Sequence, residues 1–269
     1  MRERLYRVEA IVLKRSDIGE ADRLLTLYTP NRGKVRAVAK GARKPSSRKS
    51  GHVELFTHAA LMLAKGKQLD IVTQADTLDA YLPLRENLDR LGYAYYLAEL
   101  VDRFTEEESE NIGLFDLLKH ALDWLGDPAN DPALLARFFE LELLHYVGYR
   151  PQLFHCVNCR KEIEPIENYF SVQAGGVLDP DCVERQREKP DLSGAEGIAG
   201  YARDAQVISL NALKVLRYLQ TREWATVRAV RVNAETHAEV ETVMQRYIAH
   251  HLERNLKSVE FLQELRAGV

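Results

Sequence analysis

The sequence predicts an α+β protein. A small five-stranded barrel over residues 1–80 precedes a mostly α-helical region over 81–269, which carries a zinc-knuckle-like, cysteine-containing insert at 150–182. Three observations predict this. Apolar residues in the first 80 positions recur at strand period and are interrupted by turn residues. After Pro83 the spacing lengthens to the three-and-four steps of helices. All three cysteines fall within one irregular stretch.

Tyr6, Val8, Ala10 and Val12 alternate with Arg7, Glu9, Ile11 and Leu13, so the first segment is apolar on both faces near its middle, as suits a barrel strand. Leu24, Leu25, Leu27 and Tyr28 give a second strand, Pro30-Asn31-Arg32-Gly33 a turn, and Val35–Ala39 a third strand. Val53–Leu63 and Leu69–Thr73 are expected to pair as a hairpin about Lys65-Gly66-Lys67. Five short strands with no long helix between them fit a Greek-key barrel, with the OB-fold as leading candidate and an SH3-like barrel second.

Leu84, Leu88, Leu91 and Tyr95 step by four, three and four, and Leu114, Leu118, Ala121 and Leu125 repeat that pattern. Asp127-Pro-Ala-Asn-Asp-Pro132 breaks the chain and supplies capping residues. The helix expected at 133–147 is apolar on most sides and should form the centre of the helical core. Residues 184–200 read as a polar loop, followed by helices at 209–221 and 235–255, the latter with Val240, Met244, Tyr247 and His251 on one face. The run Glu106-Glu-Glu-Ser-Glu110 reads as a solvated junction between helices.

The net charge of −3 conceals an asymmetry: residues 1–80 carry +7 and residues 81–269 carry −10. Arg32, Lys34, Arg36, Lys40, Arg43, Lys44, Arg48 and Lys49 lie between positions 31 and 50 with no acidic residue among them. Eight like charges so close repel one another, and a polyanion relieves that repulsion while its condensed counterions are released. Lys34, Arg36 and Lys40 are separated by even numbers of residues, which on a strand puts them on one face. Gly41–Ser50 is too polar to pack and is expected to be a mobile basic loop. Tyr28 and Phe56 are the nearest aromatics, each a candidate for a base-stacking platform or for the barrel core.

The function classes excluded are as useful. There is no apolar run of transmembrane length, and Met1–Leu5 lacks the apolar core of a secretory signal, so a cytoplasmic protein is expected. An odd cysteine count in that compartment argues against a disulfide framework. Phosphate-binding loops, nucleophile elbows and zinc-protease motifs are absent, so no enzyme activity is expected. His52-Val-Glu54 upstream of a Cys-x-x-Cys is superficially like a zinc deaminase, but about 100 residues intervene and an ordinary strand end is the better reading.

Ile18-Gly-Glu-Ala-Asp-Arg-Leu-Leu-Thr26, Gly33-Lys-Val-Arg-Ala-Val-Ala-Lys-Gly-Ala-Arg-Lys-Pro-Ser-Ser-Arg48 and Leu69-Asp-Ile-Val-Thr-Gln-Ala75 together resemble the N-terminal region of RecO proteins. The resemblance continues at Cys156-Val-Asn-Cys159, Phe170-Ser-Val-Gln-Ala-Gly-Gly-Val-Leu178 and Leu256-Lys-Ser258. It implies an N-terminal OB-fold, a helical C-terminal domain with a zinc-binding insert, and binding to single- and double-stranded DNA. It also implies strand annealing and work with RecR and the single-stranded-DNA-binding protein to help RecA load, at the bacterial nucleoid. Carried over by position, Lys34, Arg36, Lys40, Arg43, Lys44 and Arg48 match the family's DNA-facing segment. An RNA-binding OB protein in translation or decay is the alternative, and a zinc-dependent enzyme on nucleic acid a third.

Cys156-x-x-Cys159 is a spacing that lets two thiolates reach one tetrahedral metal. The family's metal-bearing members continue with a second Cys-x-x-Cys, where this chain has Asp179-Pro-Asp-Cys182. Three readings stand: Asp179 as fourth ligand to zinc beside Cys156, Cys159 and Cys182; His155 in that role; or a site that has lost its metal. Arg160 and Lys161 stand where a knuckle usually has glycine.

Overall fold

The computed structural model describes residues 4–188, 201–253 and 256–267. They form two compact units: Met1–Pro132 with Leu256–Val269, and Ala133–Asn255.

The first unit is built on a closed barrel of β1 (Leu5–Ile18), β2 (Asp22–Thr29), β3 (Gly33–Ala39), β4 (His58–Ala64) and β5 (Asp70–Asp79). The strand order is β1-β2-β3-β5-β4, with β1 closing on β4, and only β3 and β5 run parallel. This is the OB-fold arrangement anticipated from the strand pattern. β1 serves both halves of the barrel: residues 5–11 pair with β4 and residues 11–18 with β2, with a register shift at Val12/Lys14 where the strand bends. The interior is narrow and largely filled by small residues, among them Ala10, Ala37, Ala39 and Ala59, interleaved with Leu25, Leu27, Leu61 and Leu63.

The fourth strand starts later than the sequence suggests. Val53 ends a 3-10 turn (Ser50–Val53) and is wholly buried in the barrel core, and Phe56 takes a left-handed φ of 62°. Both are apolar enough to look like strand residues, yet Val53 fills the barrel core and Phe56 is buried against Tyr95 instead of extending the strand. Phe56 is 1% exposed and Tyr28 is fully buried, so both expected candidates for stacking platforms are core. Tyr28 lies 6.3 Å from Phe115, and Phe56 meets Tyr95 edge-on at 5.0 Å.

Four helices complete this unit: α1 (Leu82–Arg85), α2 (Leu88–Phe104), α3 (Ile112–Gly126) and, from the far end of the chain, α10 (Lys257–Ala267). Asn87 and Asn111 cap α2 and α3 by accepting the amides of Arg90 and Leu114. The apolar stripe expected from Leu84 to Tyr95 is not the buried one. Leu84 belongs to the separate turn α1, Leu88 is 61% exposed, and α2 instead buries Tyr93, Ala94, Leu97, Leu100 and Val101.

α10 packs on α2 at Gly92, where a Cβ would meet Leu265 and Leu262 at 2.9 and 3.0 Å. The buried carboxylate of Glu99 accepts the amide of Ser258 at 2.8 Å and so neutralises the open N-terminus of α10. Burial raises its pKa, but hydrogen bonds from Ser258 and Lys257 and the charge of Arg103 outweigh this and hold it below the usual range. A carboxylate depressed in the folded state adds stability above its unfolded pKa and loses it as the pH falls through the lower folded value. We expect Glu99→Ala to cost about 1.5–3 kcal/mol at neutral pH. The deficit should shrink on acidification below the ordinary carboxylate range, as urea denaturation at several pH values would report.

The second unit contains α4 (Pro132–Tyr146), β6 (Asn168–Ser171), β7 (Gly176–Leu178), α5 (Pro180–Glu188), α6 (Tyr201–Asp204), β8 (Gln206–Ile208), α7 (Leu210–Thr221), α8 (Trp224–Val227) and α9 (Ala234–Leu252). α4 buries residues on most of its circumference, as expected of a core helix, and α9 buries Val240, Met244 and Tyr247. The insert is more regular than anticipated. It holds an antiparallel sheet in the order β7-β6-β8, and the expected polar loop begins as α5. The rest of that loop, 189–200, lies outside the described residues, as do 254–255 of the last predicted helix. Among the described residues no helix is long and apolar enough to cross a membrane.

Candidate nucleic-acid interface and candidate metal centre

The basic segment runs from β3 through a series of turns to the 3-10 turn. Gly41–Ser50, expected to be unpacked, is folded. Ala42 is buried in the barrel core, Arg43 donates its amide to Ala21, and successive turns close from Lys44 to Gly41 and from Ser47 to Lys44. A polar segment stays ordered here because its backbone groups find partners within the turns themselves.

The expected row of Lys34, Arg36 and Lys40 does not stay intact. Lys34 starts on the outer face, but its ammonium is half-buried and donates to the carbonyls of Asp102 (2.6 Å) and Thr105 (2.8 Å). The Asp102 carboxylate lies 3.4 Å away and also receives Lys14. Burial raises the pKa of Asp102, and these two lysines more than reverse that shift. Lys34 therefore ties the barrel to α2. Lys49 is similarly engaged, donating to the carbonyl of Val72 at 3.0 Å.

The other six cations, Arg32, Arg36, Lys40, Arg43, Lys44 and Arg48, are exposed. Among the described residues only Arg43 has a salt bridge, to Asp17 at 3.2 Å, and both side chains are more than a third exposed. Such a surface pair contributes little. Two further lysines escaped the sequence reading. Lys65 and Lys67 are exposed in the β4–β5 turn and line one cleft of about 750 Å³ with Arg32 and Arg36. The signal was present: two lysines flank a glycine at a hairpin tip. Tyr6, read only as a strand residue, also lines this cleft. The Arg32 guanidinium sits 4.4 Å above its ring, and its hydroxyl donates to Asp70.

His52 and Glu54 are used within the barrel. The His52 ring accepts the amide of Thr77, and Glu54 receives Arg15 and Arg23. His52 lies in the 3-10 turn and not at a strand start.

In the second unit the ligand atoms of Cys156, Cys159, Asp179 and Cys182 all lie within 4.8 Å of one another and could hold a metal ion. Cys156 and Cys159 flank a tight turn in which Arg160 donates its amide to Cys156, and Arg160 takes a left-handed φ of 66°. An arginine here adopts the conformation that glycine would take without strain. Asp179 follows β7 and precedes Pro180, the first residue of α5. Its Oδ1 accepts the Cys182 amide at 2.8 Å as a helix cap, while Oδ2 accepts the Cys159 thiol at 2.9 Å. One oxygen thus builds the helix and the other faces the sulfurs. Burial works against the Asp179 charge, yet hydrogen bonds from the three cysteines and the Cys182 amide hold its pKa at about 2. Burial pushes the Cys182 thiol up to about 12, against donation from Asn158 Nδ2 at 3.2 Å. His155 is exposed and stands outside the cluster.

Family comparisons agree with both halves of this architecture. The family described as "Recombination protein O N terminal" matches residues 1–81, and that described as "Recombination protein O C terminal" matches residues 85–260. The chain belongs to the RecO family. Among curated RecO relatives, each named "DNA repair protein RecO", that of Roseiflexus sp. (strain RS-1) is 46% identical over 266 residues, covering 99% of this chain and 88% of the relative. That of Symbiobacterium thermophilum is 36% identical, covering 98% and 99%, and that of Dehalococcoides mccartyi (strain BAV1) 34%, covering 97% and 96%.

The RecO-like blocks coincide with constrained geometry. Gly33, at a φ of 55°, opens the basic block where a Cβ would strike the backbone of Ser109. Leu256-Lys-Ser258 contains the amide that Glu99 accepts. Phe170–Leu178 forms the β6–β7 hairpin, whose turn has Gly175 at a φ of 76°.

Proposed function

We propose that this RecO-family chain is a DNA repair protein that acts as a recombination mediator without catalysis. In this reading it binds single- and double-stranded DNA, anneals complementary strands and assists RecA loading with RecR and the single-stranded-DNA-binding protein at the nucleoid. The observation that carries the reading is the group of six exposed cations on an OB barrel, five of them without a salt bridge among the described residues. Lys65 and Lys67 extend that surface, whereas Lys34 and Lys49 support it from beneath. Exposed cations of one sign bind backbones through phosphate, with little regard to sequence.

In the same reading Cys156, Cys159, Asp179 and Cys182 hold a structural zinc ion. Three sulfurs and one oxygen are a donor set that zinc accepts, and ligands about 2.3 Å from a tetrahedral centre stand roughly 3.8 Å apart. The 4.8 Å spread is within small side-chain rotations of that geometry. Bound there, zinc would cross-link the knuckle to the start of α5, and four protein ligands would leave no position for substrate.

An annealing assay tests the reading. Complementary oligonucleotides coated with single-stranded-DNA-binding protein should pair faster with this chain than without it, and the effect should fade with rising salt. No acceleration at any salt concentration would sink the mediator role. Tighter binding to matched RNA than to DNA would favour the RNA-binding alternative, because that preference requires 2′-hydroxyl contacts.

A further inference from the structure

The cleft between the β2–β3 and β4–β5 turns has walls of opposite charge. Arg32 and Arg36 line one part and Lys65 and Lys67 another, while Glu107 and Glu108 form a lip. Asp70 also lines the cleft, where its carboxylate accepts the Tyr6 hydroxyl and the Gly66 amide. Glu107 and Glu108 are exposed and have no salt bridge among the described residues.

Their segment is not a free junction. Glu107 pairs with Gly33 and Lys34 as an isolated bridge, and Glu108 donates its amide to the Lys34 carbonyl at 3.3 Å. The Ser109 backbone fits only because residue 33 has no side chain, and the Lys34 ammonium grips the Thr105 carbonyl just upstream. These contacts hold the backbone of the segment against β3, which keeps both exposed carboxylates at the edge of the cleft that Arg32 and Arg36 line. A solvated linker would need none of these contacts.

We propose that this cleft seats a single nucleic-acid strand and that Glu107 and Glu108 are specificity residues that repel the second phosphate backbone of a duplex. The proposal rests on the phosphate-binding reading above. A single strand can present its phosphates to Arg32, Arg36, Lys65 and Lys67 and turn its base edges to the lip, where carboxylates accept amino hydrogens. A duplex entering the same cleft carries phosphates on both flanks and meets like charge.

The test compares the parent with the isosteric E107Q/E108Q variant, by fluorescence anisotropy on one labelled oligonucleotide and on its blunt duplex. Duplex affinity should rise about 10-fold and single-strand affinity less than about 3-fold. An equal rise for both, or no change in either, overturns the proposal. K65E/K67E serves as the second variant, and it should lose single-strand affinity. If it binds single strands like the parent, the cationic face has been misassigned, and that outcome is independent of what the glutamines do. Unchanged thermal melting of both variants excludes misfolding as the cause.

Discussion

Reversing Lys40, Arg43 and Lys44 together is expected to lower affinity for single-stranded oligonucleotides about 100-fold at moderate salt, by nearly the same factor for every sequence. All three side chains are exposed, and Arg43 alone has a salt bridge among the described residues, so no internal network should collapse when they change. The salt dependence carries a second signature. Each lost phosphate contact removes about 0.7 from the slope of log K against log salt, so three lost contacts flatten it by about 2. A variant that binds as tightly as the parent, or loses affinity with an unchanged slope, would show that the contacts lie elsewhere. Lys34→Glu is a different experiment. It breaks the tie to Asp102 and Thr105 and should register first as lost stability.

Removal of the metal should have the other large effect. We expect one zinc per chain as purified and a marked fall in melting temperature on chelation, because metal-binding free energy at a structural site is folding free energy. Cys182→Ala should reproduce the loss without chelator. Asp179→Ala is informative because it deletes a ligand and the cap of α5 together. Asp179→Asn keeps a capping oxygen, so its loss of zinc relative to the parent measures ligation, and the further loss in Asp179→Ala measures the cap. A cobalt-substituted protein should show thiolate-to-metal absorption, which a metal-free knuckle cannot. Full stability after exhaustive chelation would remove zinc from the account.

Much of this was legible in the residues, and the failures have physical causes. Alternation in Tyr6–Val12 and Leu24–Tyr28 gave the barrel because one face of each strand lines the interior, and Ala10–Leu13 is apolar throughout because both its faces are buried. Val53 and Phe56 look like strand residues because an apolar residue buried from a turn looks the same in sequence as one buried from a strand. The capping signal Asp179-Pro180 marked the start of α5, but it was weighed only as metal chemistry. The Asp179 carboxylate caps α5 with one oxygen and faces the Cys159 thiol with the other. Charge counting located the basic face correctly but could not see that Lys34 would meet Asp102, a partner 68 positions away. Only the folded topology brings such pairs together. The docked segment at Glu107 was likewise invisible, since backbone pairing leaves no mark on side-chain pattern.

The unit that carries the barrel includes both ends of the polypeptide, with α10 seated on α2 and capped by Glu99. During translation the barrel strands emerge first, but the helix that packs on their unit is made only after the second unit. The unit that bears the proposed DNA surface therefore cannot finish assembling until the whole cysteine-bearing unit has been made.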